Sequence, residues 1–561
     1  SDTAAAFASG AGAVTLVAQG RTNQAYQVAA DAPGDLVSPF TFTWTLPMGQ
    51  TGGAATQAQR AYSLLVAPED RAGNAGGAPG QLNVVVDDMP PLVRVNLPQT
   101  HDRTFALNTL TLSGRADDQA VLQALAQRAP HDGARTLASR DTRFGRALYS
   151  HEAERAFIAG DLNGDTLDDV VLLDYPTGLL QVGIFFGAPA GFGASLVITN
   201  ADVRLTANES PVGYAYTVAP ASGVGGDVNG DGVGDLLIGD PYKQRVYVVL
   251  GKRSPIGAEW KAQDELDSYA SYTLEPGTEL EFGSALAFAG DVDGDGLGDL
   301  LAGARHNAAG PDTATLYLGR ERGAPVPAAT FIGRACGGCA GVIPSLAGLG
   351  DTNNDGLSDF AIATGAGRAY LVLGRAWDEW PATLSLPAQA DAVFEGLQAG
   401  GAPVNLVFQV AGLGDLNRDG RNDWLISGDE NADQGRAHVV FGRDAVNNPY
   451  PAPVPAEVSL FILNPYRFGA VAPLGDLDRD GLPDIGLALG DGSASFVAVL
   501  LGKSIPRGVS AGIQNAAGTL VQTANNQRVG AWLSAGDTNA DGVRDVLVGA
   551  PGEGASHLFL G

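Results

Sequence analysis

The amino-acid sequence predicts an all-β protein that combines a seven-bladed β-propeller with an N-terminal β-sandwich. An aspartate-rich segment recurs seven times at intervals of 60 to 66 residues, and each copy lies among short apolar runs that end in turn-forming residues. Recurrence at such a period is typical of repeat architectures. A third observation concerns residues 1–90, which contain strand-like segments without the aspartate-rich pattern and therefore predict the sandwich.

The recurring segment has nine residues, with Asp at positions 1, 5 and 9 and Asp or Asn at position 3. A solvated acidic surface would not keep these residue types in register through seven copies. A tight loop of this kind turns its polar side chains toward one point, where the main-chain carbonyl of position 7 can join them. The result is an all-oxygen cage suited to Ca²⁺.

We therefore predict about seven bound Ca²⁺ ions, one in each loop. The predicted ligands at positions 1, 3, 5, 7 and 9 are Asp161, Asn163, Asp165, Leu167 and Asp169; Asp227, Asn229, Asp231, Val233 and Asp235; Asp291, Asp293, Asp295, Leu297 and Asp299; Asp351, Asn353, Asp355, Leu357 and Asp359; Asp415, Asn417, Asp419, Arg421 and Asp423; Asp476, Asp478, Asp480, Leu482 and Asp484; and Asp537, Asn539, Asp541, Val543 and Asp545.

The seven loops are expected to differ in how tightly they bind Ca²⁺. Position 6 is Gly in six copies, which suits the left-handed backbone that a sharp reversal needs. Thr166 stands there in the first loop, so this loop is expected to be the weakest. The loops that begin at Asp291 and Asp476 hold four carboxylates each and are expected to bind most tightly.

The net charge narrows the possible partners. The chain has 62 acidic and 34 basic residues, a formal charge of −28. Nucleic-acid binding is not expected, because it needs clustered basic residues. Seven Ca²⁺ ions would bring the charge to about −14.

Two other classes of structure are excluded. An EF-hand is excluded because position 12 of each segment is not acidic, and no apolar run is long enough to predict a membrane span.

Each loop is followed by two apolar runs, the second ending in Gly, and by a more variable strand-like segment. Four strands in about 60 residues correspond to one propeller blade. Phe-Gly or a related pair precedes most loops, as at Phe144-Gly145 and Phe282-Gly283.

Because the sequence ends after the third strand of the seventh blade, we expect residues 134–139 to pair as its outer strand and close the ring.

Residues 140–561 resemble the FG-GAP repeats of integrin alpha subunits and their bacterial relatives. The Phe-Gly pair, the aspartate loop, a Gly-Ala-Pro-like turn and a strand ending in Gly follow one another in this order, with a full Gly-Ala-Pro at Gly549 to Pro551. The resemblance implies Ca²⁺-binding loops between the first and second strands of a blade. Integrins carry such loops in only some blades, whereas this sequence has one in all seven and matches no integrin ligand-contact site.

The N-terminal region resembles bacterial Ig-like repeats, since EDRAGNAGG precedes the strand-like LNVVVDDMPP. We predict an Ig-like β-sandwich in residues 1–90, a partial second Ig-like segment or linker in 91–130, and the propeller in 131–561. The middle segment is too short for a seven-stranded sandwich. It is a degenerate linker, a half-domain completed by a partner strand, or an Ig-like domain that the propeller interrupts and that continues beyond residue 561; we favour the third.

The two cysteines, Cys336 and Cys339, are too few for a disulfide scaffold or a four-thiolate zinc site. We predict a small surface disulfide that closes the Gly-Gly turn between them. A redox-active pair would need a thiolate at a helix N-terminus, and nothing in the surrounding sequence predicts a helix.

These observations predict an extracellular or cell-surface protein, stabilised by calcium, that serves adhesion or the assembly of a surface layer or filament. Its partners would be other surface proteins, further copies of itself, or glycans. The alternative is a glycan-binding lectin or a carbohydrate-active enzyme that uses the propeller funnel, with Tyr214, Tyr216 and Trp424 as candidates to stack on a sugar. Packing is the favoured role of these aromatic residues, and the sequence has no HExxH or G-x-S-x-G motif, so we do not predict an enzyme.

Overall fold

A computed structural model describes the backbone of six strands within residues 1–129 and most of residues 140–561. The chain divides into two compact units, Ser1–Ala129 and Pro130–Gly561. Within the second unit the structure does not describe residues 130–139, 146–154, 175–178, 208–216, 221–225, 254–259, 276–280, 305–312, 334–344, 365–367, 387, 396–406, 432–433, 445–457, 462–466, 491–494, 506–510, 513–517 and 524–527.

The described strands of the first unit form three antiparallel pairs. They are β1 (Gly12–Gly20) with β2 (Phe40–Met48), β3 (Arg60–Val66) with β4 (Gly80–Val86), and β5 (Val93–Asn96) with β6 (Ser113–Ala116). β1 to β4 coincide with strand-like segments of residues 1–90, and one further such segment, AYQVAADA at 25–32, lies outside the described residues. The Ig-like sandwich stays a prediction.

The second unit is an all-β, seven-bladed propeller, as predicted. The first strand of each blade contacts the first strand of the next blade, and the seventh contacts the first, so the ring is closed. The labels follow chain order, and the list begins with a strand that belongs to the last blade.

The first strand of this unit is β7 (Thr142–Phe144). Blade 1 contains β8 (Arg155–Gly160), β9 (Asp169–Asp174), β10 (Gln181–Phe185) and β12 (Val203–Thr206), with β11 (Ser195–Leu196) in the connection before β12. Blade 2 contains β13 (Thr217–Pro220), β14 (Leu236–Asp240), β15 (Arg245–Val249) and β17 (Tyr272–Leu274), with β16 (Gln263–Glu265) before β17. Blade 3 contains β18 (Ala285–Gly290), β19 (Asp299–Ala304), β20 (Thr313–Leu318) and β21 (Val326–Ile332).

Blade 4 contains β22 (Ser345–Gly350), β23 (Asp359–Thr364), β24 (Arg368–Val372) and β26 (Ala392–Glu395), with β25 (Thr383–Ser385) before β26. Blade 5 contains β27 (Val407–Gly414), β28 (Asp423–Asn431), β29 (Gln434–Val440) and β30 (Val458–Phe461). Blade 6 contains β31 (Arg467–Gly475), β32 (Asp484–Gly490), β33 (Ser495–Leu500) and β35 (Gly518–Thr523), with β34 (Ala511–Gly512) before β35. Blade 7 contains β36 (Leu533–Gly536), β37 (Asp545–Ala550) and β38 (Ala555–Phe559), completed by β7.

The described helices are short. One α-helix, α1 (Leu266–Tyr269), follows β16, and the 3₁₀ turns are Ile198–Asn200, Trp377–Glu379, Gly502–Ser504 and Pro551–Glu553. Among the described residues, no helix has the length and apolar character needed to cross a membrane.

The hydrophobic cores lie between neighbouring blades. The core between blades 1 and 2, for example, packs Leu173 and Ile184 against Leu236 and Ile238, all four essentially inaccessible to solvent. The side chains of a strand alternate between its two faces, so the apolar second and third strands supply both neighbouring cores. This arrangement explains why the runs after each loop are continuously apolar and not alternating.

The strand that closes the ring is β7, which pairs antiparallel with β38 so that Phe144 lies opposite Ser556. The prediction that residues 134–139 fill this place is therefore wrong, because β38 already has β37 on one side and β7 on the other. Residues 134–139 themselves lie outside the described residues. The Phe144-Gly145 pair indicates the start of blade 1 in the sequence, but in the structure Phe144 lies in the outer strand of blade 7.

Four blades carry a fifth strand that the sequence did not predict. β11, β16, β25 and β34 come from the connection before the last strand of one blade and pair in parallel with the outer strand of the preceding blade. Blades 7, 1, 3 and 5 are extended in this way. Each such strand ties two neighbouring blades together at their outer edges.

Candidate metal centres

The aspartate loops lie between the first and second strands of their blades, as the FG-GAP resemblance implies. Position 9 begins the second strand, or immediately precedes it in blade 2, and its side chain is fully buried in every copy. The seven buried carboxylates are Asp169, Asp235, Asp299, Asp359, Asp423, Asp484 and Asp545.

Each of these carboxylates accepts two main-chain hydrogen bonds. In blade 3, Asp299 Oδ2 accepts the N–H of Val292 and Oδ1 accepts the N–H of Gly319, both at 2.8 Å. The same two bonds recur in all seven blades, with N···O distances of 2.7 to 2.9 Å. Position 9 therefore joins the loop to the end of the third strand.

This contact explains the glycine that ends the third strand of each blade. A Cβ atom on Gly319 would lie 2.4 Å from the carbonyl oxygen of Gly298, closer than real Cβ contacts allow. The sequence contained the recurring glycine, but its link to position 9 became visible only in the structure.

Positions 1 and 5 organise the loop backbone. The N–H of position 6 donates to Oδ2 of position 1 in all seven copies at 2.7 to 3.0 Å. The N–H of position 7 donates to Oδ1 of position 5 at 2.8 to 2.9 Å. The seven loops thus share one conformation.

Two positions of the loop have a left-handed backbone. Position 6 has φ between 77° and 89°, and Thr166, at 77°, adopts it despite its β-branched side chain, as expected. Position 4 also has positive φ in every copy, which the sequence analysis missed. Three copies have Gly at position 4, a signal for this backbone, but the others carry non-glycine residues: Asn354, Arg418, Arg479 and Ala540.

The donor set fits a hard cation. In blade 3, carboxylate oxygens of Asp291, Asp293 and Asp299 lie within 4.8 Å of one another, and Asp476, Asp478 and Asp484 are grouped in the same way in blade 6. A carboxylate has about four lone-pair sites, so the main-chain bonds leave capacity for a cation. These groups offer oxygen only, the ligand type that Ca²⁺ prefers.

The other five loops have Asn at position 3. In each, the Asn Nδ2 donates to Oδ2 of the position 5 Asp at 2.9 to 3.1 Å. The Asn Oδ1 also accepts the N–H of position 5, so the amide is engaged within its own loop. The full ligand sets, including the carbonyl of position 7, stay a prediction.

Burial is the main cause of unusual carboxyl pKa values in these loops, and neighbouring carboxylates add to it. It raises the pKa of Asp235 to about 8 and that of Asp291 to about 6. The pKa rises to about 7 for Asp359, Asp423 and Asp545. A divalent cation would favour the ionised carboxylates and offset this cost.

Neighbouring loops are bonded to one another around the ring. The N–H of position 8 in one blade donates to the main-chain carbonyl of position 1 in the preceding blade; Gly298 donates to Asp227 at 2.7 Å. Five junctions share this bond, including the junction at which Asp168 of blade 1 donates to Asp537 of blade 7. In blade 6, position 8 is Pro483, which has no N–H to donate.

The remaining candidate residues have no described role at these centres. Trp424 is fully buried and packs edge-on against Phe394, with ring centroids 4.5 Å apart, which confirms packing over sugar stacking. Tyr214 and Tyr216 lie outside the described residues, as do Cys336 and Cys339, so the disulfide stays a prediction.

Comparison with known proteins supports the resemblance. Residues 529–559 match the FG-GAP repeat. The chain is 28% identical over 173 residues to integrin alpha-PS2 of Drosophila melanogaster, covering 28% of this chain and 10% of that protein. It is 33% identical over 103 residues to integrin alpha-4 of Xenopus laevis, covering 17% and 9%.

A further relative is the phosphatidylinositol-glycan-specific phospholipase D of Dictyostelium discoideum. The two sequences are 26% identical over 192 residues, which cover 30% of this chain and 19% of that protein. The chain thus spans less than a fifth of each of these three relatives.

Proposed function

We propose that this chain is an extracellular or cell-surface protein whose propeller is stabilised by Ca²⁺ in its aspartate loops and which serves adhesion or the assembly of a surface layer or filament. Its partners are other surface proteins, further copies of the chain, or glycans. The integrin relatives support the adhesion-type, extracellular role, and no enzymatic activity is part of the proposal.

The observation that carries the calcium part is the shared geometry of the seven loops. Each places a fully buried carboxylate beside further Asp and Asn side chains, most of which are partly or fully exposed, and in two blades three carboxylates converge. Burying ionised carboxylates, and grouping them without a counter-ion, is costly, as the raised pKa values indicate. A cation with oxygen ligands offsets that cost and is expected to be part of the folded state.

Metal analysis and thermal unfolding test the calcium part. Protein purified without chelator is expected to contain several calcium ions per chain, and stripping them is expected to lower the melting temperature, because a ligand bound only by the folded state stabilises it. Magnesium serves as the control, since it demands a smaller octahedral site. A metal content near zero together with an unchanged melting temperature would rule out the structural calcium.

Self-association distinguishes assembly from adhesion. An assembly component forms ordered polymers on its own in calcium, which light scattering and electron microscopy detect. An adhesin stays monomeric and binds a second surface protein or a glycan array. Absence of both behaviours in calcium-loaded protein would contradict the proposed role.

The similarity to a protein named phospholipase D makes an enzyme the second candidate. Assays of the calcium-loaded chain with glycosylphosphatidylinositol and with oligosaccharides decide between the two classes. Turnover that survives repeated purification and disappears with a single side-chain substitution would establish the enzyme and overturn the non-enzymatic proposal.

A further inference from the structure

Lys503 reaches from the end of the third strand of blade 6 back to the aspartate loop of the same blade. Its Nζ donates a hydrogen bond to Oδ2 of Asp478, position 3 of the loop, and lies 3.7 Å from Oδ2 of Asp480, position 5. The two aspartate side chains are only 16% and 22% exposed, whereas the Lys503 side chain is 53% exposed, so only the carboxylate side of the contact is shielded from water. An ammonium group of the protein itself thus neutralises part of the loop charge.

Four other blades carry a cationic residue at the matching place, directly after the glycine that ends the third strand: Lys252, Arg320, Arg375 and Arg443. In blades 2 and 4 this cation lies on aromatic rings. Lys252 Nζ lies 4.3 Å from the ring centroid of Tyr269 and 5.3 Å from that of Trp260. The guanidinium of Arg375 lies 4.8 Å from the ring centroid of Trp380. Both cations rest on aromatic rings of their own blade.

Blade 6 offers no such ring in the corresponding connection, since residues 504–512, SIPRGVSAG, contain no aromatic side chain. The loop that Lys503 contacts is one of the two with four aspartates, three of which have oxygens within 4.8 Å of one another. The ammonium therefore lies at the edge of the densest group of negative charge in its blade. Being tethered, it is present at high effective concentration regardless of the solution.

We propose that Lys503 is a built-in counter-ion of the blade 6 loop, which weakens Ca²⁺ binding there and keeps the loop ordered when no cation is bound. This inference rests on the proposed function and assigns it a residue that sets the strength of one site. It also changes the expectation from the carboxylate count, because one of the two loops with four aspartates is no longer expected to be among the tightest.

The test replaces the ammonium with an apolar group of similar length, Lys503→Met, and uses Lys252→Met as the matched control. In Lys503→Met the calcium affinity of one site is expected to rise about two- to fivefold, the weight of a partly exposed ion pair. Native mass spectrometry at subsaturating CaCl₂ is then expected to show more bound ions per chain than in the unaltered protein. Lys252→Met is expected to leave the ion number unchanged.

Thermal unfolding gives the second readout. Without metal, Lys503→Met is expected to melt below the unaltered protein, because the carboxylates lose their counter-ion, while saturating calcium removes the difference. The gap between the melting temperatures with and without calcium therefore widens in Lys503→Met. In Lys252→Met, which loses a contact with aromatic rings, both temperatures fall together and the gap stays constant.

The outcomes separate the two hypotheses. An unaltered protein that shows calcium-dependent melting, with Lys503→Met identical to it in ion number and in temperature gap, overturns the counter-ion role alone. An unaltered protein that neither binds calcium nor responds to it overturns the proposed function and this inference together. Lys503→Arg keeps the charge and is expected to behave like the unaltered protein. If Lys503→Met does not fold, Lys503→Gln takes its place as the neutral variant and is compared with Lys503→Arg.

Discussion

Replacing Phe144 with Ala is expected to weaken the strand that closes the propeller ring. Phe144 is fully buried in β7, and its ring lies 5.3 Å from that of Phe185 and 5.5 Å from that of Phe192. Truncating a buried Phe to Ala costs about 3–5 kcal/mol, since it removes apolar contact and leaves a cavity. Much of that loss falls on β7, a three-residue strand whose neighbour β38 belongs to the last blade.

Phe331→Ala is the matched control. Phe331 is also fully buried in the outer strand of its blade, and it contacts two aromatic rings, those of Phe360 and Trp380. Urea unfolding is expected to show a comparable loss of stability in both variants. Only Phe144→Ala, however, is expected to speed amide exchange in β38, by about a hundredfold, because a local loss of about 3 kcal/mol raises the open population by that factor.

Hydrogen exchange followed by mass spectrometry measures this difference directly. Protection of residues 555–559 that stays at the unaltered level in Phe144→Ala, despite the lost stability, would refute the closing role of β7. A loss of stability of no more than about 0.5 kcal/mol would refute the packing argument itself, because surface substitutions typically change stability by this amount.

Three further outcomes are expected. Removing residues 1–129 should leave the propeller monomeric and folded, whereas removing 1–145 takes away β7 and should cause aggregation at the open edge of β38, as size-exclusion chromatography would show. Thr166→Gly should stabilise the protein by about 1 kcal/mol, because it relieves the strain of a β-branched residue with a left-handed backbone. The reverse change Gly296→Thr should cost a similar amount in urea unfolding. No gain in stability from the first change and no loss from the second would contradict the strain. Metal-free protein should be more stable at pH 5 than at pH 8, because a carboxyl group whose pKa is raised on folding binds more protons in the folded state. Its stability should therefore fall as the pH rises from about 4 towards the folded pKa values of about 6 to 8. Saturating calcium should abolish this fall.

The recurring residues could be predicted from the sequence because the same physical demand is repeated seven times. The loops, their place between two strands and the left-handed backbone at Thr166 all follow from residue types that hold one register. Position 4 escaped notice because Arg418 and Ala540 adopt a backbone that their side chains do not signal. There the hydrogen bonds of the loop outweigh local preference.

The features that the sequence could not predict depend on contacts between distant segments. β11 and β34 have two residues each, too short for an alternating pattern, and exist because the outer strand of another blade lies beside them. β7 has only three residues, and its partner is more than 400 residues away along the chain. Local periodicity carries no information about such pairings, so the closing strand was assigned to the wrong residues.

The hydrogen bonds between loops link the candidate metal centres to the ring. At position 1, an aspartate such as Asp227 organises its own loop through its carboxylate and accepts the N–H of Gly298 in the next blade through its carbonyl. A cation that orders one loop would therefore also fix the carbonyl on which the neighbouring blade depends. Under the proposed function, calcium stabilises the junctions between blades as well as the loops.

The junction of blades 5 and 6 shows how the ring holds where this link is missing. Pro483 has no N–H to offer to Asp415. Side chains join the two blades instead: Gln409 exchanges two hydrogen bonds of 2.8 Å with the backbone of Val471, and Arg418 donates to the carbonyl of Asp480. Because Gln409 and Val471 lie in the first strands and outside the aspartate loops, this junction is expected to depend less on calcium than the five that share the main-chain link.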